Sequence, residues 1–303
     1  MTATVGLVSE TSFRVPSPGV RQTFGLRAMA PIRPSTPVAP PAPATSGPAN
    51  PLDLIAMAAG PGQQNPEEKA QAILDEEEAL SSLHRVEPVV AEAPTPDPSG
   101  VQRRADIRWE LLCLNDAETV LDQLGRCFED TGAPAVPMEV AGPVAVVAIL
   151  APDDHVLPSK TVTLVNGGTL SIRRPPPAHR ARLYRQLVAG LVIGTARQVL
   201  AAAPGLTGVR IVVIRSLHEG NYDTVTSLAS VELERSALDG ADYSKDAEDV
   251  LLEVGQRVFW RTAEPDNTLE PLPLADLPEV TDVFAKLCRS AAEVRMGSQA
   301  ESA

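Results

Sequence analysis

The sequence predicts an α+β fold in which a mixed, largely antiparallel sheet packs against a long central helix, preceded by a disordered Pro-rich arm. Residues 180–203 carry apolar side chains at helical spacing, and the stripe widens in the middle turns, as in a buried helix. Pro204 and Gly205 end that helix, and the apolar run from Val209 to Ile214 then indicates a strand covered on both faces. Hairpin signals on both sides of this unit supply the antiparallel strands.

The first 64 residues are predicted to be a disordered arm. Twelve of the 29 prolines lie between Pro16 and Pro66, and such a segment buries too little apolar surface to offset the entropy of ordering. A small apolar cluster interrupts it, and we expect either a docking segment for a protein partner or a transient helix without one. The cluster consists of Leu52, Leu54, Ile55 and Met57.

Residues 65–85 are predicted to form an acidic amphipathic helix. Asn65 and Pro66 are typical of a helix start, and Glu67 and Glu68 suit its first turn. Its thin apolar edge is expected to lie on the chain's own core or on another protein, and the residues of that edge assigned to partner binding are Ile73, Leu80 and Leu83. Residues 86–100 are interpreted as a linker.

Residues 101–290 are expected to form the globular domain, and 291–303 a disordered tail. Two helices, the second capped by Asn115-Asp116, precede a hairpin over 136–150 and a polar loop over 152–160. Asn166-Gly167 then predicts a second hairpin before the central helix and strand. A strand over TVTSLASVELE, a helix at 245–254, a hairpin around Glu264 to Asn267 and a terminal helix at about 277–293 complete the domain.

Several segments of this domain carry a resemblance to a known family. The segments are RWELLCLNDAETVL, RCFEDTGAP, VAVVAILAPDD, GTLSIRR, LYRQLVAGLVIGTARQVLAAAPGL with VRIVVIR, and LEPLPLADLP. They resemble an uncharacterised actinobacterial domain family that often lies at the C-terminal end of bacterial proteins. The resemblance covers approximately residues 101–290 and rests on core spacing. It implies a bacterial source and this domain boundary, and it implies no functional residues.

Charge and cysteine content exclude some classes of function. The formal net charge is −13, and the globular part is itself acidic, which argues against broad nonspecific binding to nucleic acid. Three cysteines without close pairs do not form a zinc motif and fit a reducing compartment. The sequence shows neither a basic start followed by an apolar stretch nor about 20 consecutive apolar residues. We therefore expect a cytoplasmic protein without membrane segments, and we assign no cofactor.

The element order from 116 to 216 is also that of a restriction-endonuclease-like core, so a degenerate form of that fold is the alternative. Such nucleases hold a divalent metal between an acid at one strand end and an acid-x-Lys on the next strand. Asp153 and Asp154 occupy the first position, but Ser171-Ile172-Arg173 offers no second acid. His155 is the third ligand of a candidate metal site with these two acids, although an exposed loop histidine beside acids is more often a titrating surface group.

Basic residues surround three prolines at the start of the central helix, the end where cations oppose the helix dipole. Either acids of the same core, such as Asp153 and Asp154, or an external anion such as nucleic-acid phosphate must compensate them. We favour internal compensation, because acids are abundant and aromatic residues for base stacking are scarce. The cluster comprises Arg173, Arg174, Arg180, Arg182 and Arg185.

No complete catalytic constellation appears in the sequence. The leading hypothesis is a non-catalytic bacterial interaction or accessory protein that contacts a protein partner through its arm and acidic helix. The alternative is a nucleic-acid-binding module, derived from a nuclease-like fold, that uses the arginine cluster 173–185. Nucleic acid is possible as a partner but not favoured.

Overall fold

The computed structural model describes residues 15–16, 65–95, 100–165, 169–219, 222–273 and Thr281. The predicted disordered arm lies outside these residues, apart from a two-residue strand at Val15–Pro16, and so does the apolar cluster 52–57. The Asn166-Gly167 turn and the tail also lie outside them. Of the predicted terminal helix only Thr281, which is helical, is described.

The described strands form one main sheet and a separate hairpin. They are β1 (Val15–Pro16), β2 (Ala135–Ala141), β3 (Val144–Leu150), β4 (Thr161–Val165), β5 (Thr169–Arg173), β6 (Gly208–Glu219), β7 (Tyr222–Glu234), β8 (Gly255–Ala263) and β9 (Thr268–Glu270). The main sheet runs in the order β2–β3–β6–β7–β8–β9, and β1 pairs with β7. Every neighbouring pair is antiparallel except β3 and β6, which are parallel because the chain crosses over between them. A mixed and mostly antiparallel sheet in an α+β fold is therefore confirmed.

The predicted hairpin β4–β5 forms, but as a separate two-stranded sheet. It lies within the crossover between β3 and β6, ahead of the central helix. The helices are α1 (Pro66–Ser81), α2 (Gly100–Cys113), α3 (Ala117–Thr131), α4 (Pro177–Ala202), α5 (Arg235–Asp239) and α6 (Ala247–Val254). Short 3-10 helices lie at Leu83–Arg85 and Asp154–Val156.

The central helix α4 is buried, as its sequence predicts. Leu187, Val188, Val192 and Ile193 have no exposed surface, whereas Leu191 is only partly buried at the edge of the core. The inward side chains of β6, Val209, Ile211 and Val213, belong to the same hydrophobic cluster. Because α4 also contacts α1 and α6, it is enclosed on several sides, which explains why its apolar stripe is so wide.

Arg235 closes the C-terminal end of α4. Its guanidinium donates to the carbonyl oxygens of Leu200, Ala203 and Leu206 at 2.8, 3.2 and 2.8 Å. The last carbonyls of a helix have no partner within the helix, and a cation also suits the negative end of the helix dipole. Arg235 therefore fixes the turn through Pro204 and Gly205 into β6.

The acidic helix α1 lies on the chain's own core. Ala70 and Leu80 are fully buried, as is His84 in the following turn, and Leu83 packs against the main hydrophobic cluster. This corrects the expectation that Leu80 and Leu83 belong to a partner-binding edge, since their apolar surface packs against the core of the same chain. Ile73 is half-buried.

The predicted linker is docked along α4 over its first part. Val89 exchanges two hydrogen bonds of 3.0 Å with the Gln198 side chain, and the Ala91 amide donates to the Ala201 carbonyl at 3.0 Å. Arg197 donates to the carbonyls of His84 and Val86. We call residues 86–95 the strap. The folded domain thus begins at α1 rather than at residue 101.

Candidate functional site

A cleft of about 640 Å³ opens where β3 ends, beside β6 and the first turns of α4. Its walls come from segments far apart in sequence, among them the loop after β3, the prolines before α4 and the start of β9. We call it the arginine cleft. The lining residues are Asp154, Leu157, Arg174, Pro175, Pro177, Arg180, Ala181, Tyr184, Arg215 and Thr268.

The arginines of the cleft differ in how they are held. Arg180 lies 3.1 Å from the Asp154 carboxylate and donates to the Asp154 carbonyl at 2.9 Å. Arg174 is exposed and makes no hydrogen bond or ion pair with any other residue that the structure describes. Arg180 is therefore preorganised, whereas Arg174 is available.

Arg215 reaches the cleft from β6. Its side chain lies on the α4 side of the sheet, as the alternation after Ile211 and Val213 requires. Its Nε is buried and has no hydrogen-bond partner among the described residues. A buried donor without a partner has lost its hydration and has gained no hydrogen bond in exchange.

Tyr184 forms the inner wall of the cleft. Its hydroxyl donates to the Pro152 carbonyl at 3.0 Å and also interacts with the Arg215 guanidinium. Burial raises the pKa of this hydroxyl, and the positive charge of Arg215 works in the opposite direction. The phenol thus stays protonated at neutral pH and holds the loop after β3 against α4.

The predicted arginine cluster is divided by the fold. Arg174 and Arg180 line the cleft, whereas Arg173 and Arg182 are exposed outside its lining. Arg185 is turned away, with its Nε 2.9 and 3.0 Å from the two carboxylate oxygens of Glu248. Internal compensation by acids, the favoured interpretation, holds for Arg180 with Asp154 and for Arg185 with Glu248.

The sequence does not single out Arg215, because it follows the apolar run of β6 and has no adjacent basic residue. The structure explains its position: the parallel register places Ile214 opposite Leu150, so the residue after Ile214 meets the loop that follows β3. In parallel strands the carboxyl ends share one edge, where crevices commonly bind ligands.

The structure does not bring the three predicted metal ligands together. No group of three histidine, cysteine, aspartate or glutamate side chains able to hold a metal occurs in the part of the chain that the structure describes. Asp153, Asp154 and His155 are all exposed, and Asp154 is engaged by Arg180. These three consecutive residues do not converge, because they lie in and beside a single 3-10 turn.

Comparison of the chain with protein-family models, curated proteins and solved structures gave no match. The resemblance to an actinobacterial family thus stays a prediction. Among the described helices, none has the length and apolar character needed to cross a membrane.

A second surface stands out on the β4–β5 hairpin. Leu164 and Leu170 lie directly opposite each other in the antiparallel register and are 74% and 43% exposed. The other face of the hairpin is held against the core, since Thr161 is buried and its hydroxyl lies 3.4 Å from Nε2 of His179. We call Leu164 and Leu170 the leucine pair.

Proposed function

We propose that the protein is a non-catalytic interaction or accessory protein of the bacterial cytoplasm that binds a protein partner. The partner contacts the leucine pair, the acidic outer side of α1 and the N-terminal arm. The observation that carries the proposal is the leucine pair itself, because two opposed leucines on a hairpin detached from the main sheet have no role in the core.

The chemistry of the surroundings describes the partner. Asp75 and Glu78 remain exposed on α1, and α1 contacts both β4 and β5. An apolar centre with a charged rim is the usual anatomy of a protein–protein interface. The expected partner therefore offers an apolar patch bordered by Lys or Arg.

The apolar edge of α1 is not part of this surface, since Leu80 and Leu83 support the core. The arm enters the proposal through Leu52, Leu54, Ile55 and Met57, which lie outside the described residues. The nucleic-acid alternative loses support, because Arg185 of the cluster is paired with Glu248 and lies outside the lining of the arginine cleft.

The test begins with capture of partners from a lysate of the native bacterium by the full-length protein. The captured protein is then purified, and its affinity is measured for the Leu164→Ser/Leu170→Ser variant. Leu252→Ser is the matched control, since Leu252 is also an exposed leucine, at 58%, on α6. We expect at least about a tenfold loss for the double variant and no change for the control.

A chain beginning at Asn65 tests the arm separately, because it keeps Leu80 and His84 in place. A chain beginning at Gly100 is unsuitable, since it removes core residues and confuses loss of binding with loss of folding. Equal affinity of the wild type and the double variant for the captured protein would exclude the leucine pair as its docking site.

A further inference from the structure

We propose that the arginine cleft binds a small organic phosphate monoester. This inference concerns a different surface from the proposed partner site and stands independently of it. It rests on three arginines that converge from three separate segments on one concave site: Arg174 before α4, Arg180 within α4 and Arg215 at the end of the β6 apolar run.

The charge of the cleft suits a dianion. Three guanidinium groups face one carboxylate, that of Asp154, in the lining of the cleft, although the whole chain carries a net charge of −13. A phosphate monoester carries about −1.5 to −2 charges at neutral pH, which balances this excess, whereas a monocarboxylate does not. The N-terminal end of α4, with no acid in its first turn, adds positive potential at Pro177.

Arg215 completes the set of donors around the cleft. It lines the cleft from β6, and the neighbouring Tyr184 hydroxyl interacts with the same guanidinium. Arginine presents five donors in a rigid fork, so a ligand oxygen can accept from a terminal nitrogen of Arg215. A phosphate monoester has three acceptor oxygens, so Arg174, Arg180 and Arg215 can each donate to a different one.

The rest of the lining fits the organic part of the ligand. A volume of about 640 Å³ exceeds what a bare phosphate occupies and falls in the range of small-molecule sites. Leu157, Pro175 and Ala181 give the cleft an apolar wall, and the Thr268 hydroxyl adds a donor or acceptor at its edge. The ligand is thus a compact molecule that ends in a phosphate, rather than a polymer that tracks along a groove.

Titration calorimetry on the full-length protein tests the proposal with four probes: AMP, glucose 6-phosphate, inorganic phosphate and a single-stranded oligonucleotide without a terminal phosphate. We expect at least one monoester to bind at about pH 7.5 with a Kd below about 1 mM, and more tightly than inorganic phosphate. Binding should weaken at about pH 5, where the monoester carries close to one negative charge.

Adjacent arginines provide the matched control. Arg174→Gln should weaken monoester binding about tenfold or more, because a charged hydrogen bond is lost. Arg173→Gln, one residue earlier and outside the lining, should change it less than about twofold, and circular dichroism should show both variants folded.

Three outcomes would overturn the proposal. The first is no binding of either monoester at millimolar concentration. The second is an equal loss in the Arg173 and Arg174 variants, which would indicate a diffuse charge effect. The third is tight, steeply salt-dependent binding of the oligonucleotide without monoester binding, which would assign the arginines to nucleic acid instead.

Discussion

Nε2 of His84 lies 3.0 Å from the backbone carbonyl oxygen of Lys245, across 161 residues of sequence. A carbonyl only accepts, so Nε2 carries the proton and donates it. The other ring nitrogen, Nδ1, is buried and has no hydrogen-bond partner among the described residues. This arrangement suits the neutral imidazole and leaves the proton of an imidazolium Nδ1 without an acceptor.

The His84 environment predicts a loss of stability in mild acid. Burial lowers the pKa of His84 from its ordinary value of 6.5, so the unfolded chain binds the proton more readily than the folded one. The contribution is fully present above about pH 6.5 and is lost as the pH falls from there through the lowered folded value. The titration of His84 adds at most about 1.4 kcal/mol per pH unit to the slope of the free energy of unfolding against pH, and urea unfolding measures this slope.

His84→Gln isolates this effect, since the amide keeps a donor for Lys245 but does not titrate. Glu76 acts in the opposite direction and at lower pH, because burial and the neighbouring Glu77 raise its pKa. Glu76 is present in both proteins, so its contribution cancels when the free energy of unfolding of the variant is subtracted from that of the wild type. An unchanged slope in His84→Gln would show that His84 is not the titrating group.

Two glycines are predicted to respond to alanine in opposite directions. A Cβ on Gly205 would lie 2.4 Å from the Cys113 carbonyl oxygen and 2.7 Å from that of Leu112, so the end of α2 would have to move. A Cβ on Gly125, inside α3, would meet no atom within 4 Å. Gly205→Ala should destabilise the protein by more than about 1 kcal/mol, and Gly125→Ala should stabilise it by about 0.5–1 kcal/mol. Thermal unfolding of both variants provides the comparison, and the same sign for both would contradict the close approach of α2 to Gly205.

Two leucines one turn apart on α4 should differ in how much stability the protein loses when each is replaced by alanine. Leu187 has no exposed surface, so Leu187→Ala should cost about 2–5 kcal/mol through lost burial and the cavity left behind. Leu191 is only partly buried, and Leu191→Ala should cost less. Arg182→Ala, on the exposed side, should change stability by less than about 0.5 kcal/mol. Denaturant unfolding ranks the three, and an equal cost for Leu187 and Arg182 would mean that α4 is not enclosed.

Arg235 is predicted to contribute to the stability of the fold. Arg235→Met should destabilise the protein by about 1–3 kcal/mol, because the carbonyls at the end of α4 lose their donors. Arg235→Lys should restore only part of this loss, since one ammonium cannot reproduce the fork that serves several carbonyls. Arg257→Met is the control: Arg257 is mostly exposed and lies 3.7 Å from Glu232, so its removal should cost less than about 1 kcal/mol.

The elements that the sequence predicts correctly depend on local patterns. The Asp116 side chain caps α3 by accepting from the Thr119 amide, and Gly132 ends that helix with a positive φ of 62°. The central helix, its Pro-Gly end and both early hairpins likewise depend on neighbouring residues. The patterns of periodicity and capping describe such short-range features well.

The features that the sequence leaves open depend on contacts between distant segments. A thin apolar edge on α1 fits a core or a partner equally, and only the enclosure of Leu80 and His84 decides between them. Arg185 pairs with Glu248, 63 residues away, so no residue near Arg185 in the sequence indicates that its charge is paired within the chain. The arginine cleft has walls from several such segments, and for that reason only part of the cluster that forms it could be predicted.

The strap has a consequence for how the chain reaches its native state. It joins residues 86–91 to the far half of α4, and its contacts bridge sequence separations of 109 to 111 residues. The surface of α4 on which α1 and the strap pack does not exist until residue 201 has left the ribosome. Synthesis of that length takes on the order of ten seconds at ordinary rates. Contacts of such long range also slow folding, because loop closure must be completed first. During synthesis α1 and the strap are therefore made long before α4, and Leu80 and Leu83 spend that interval without the core that buries them.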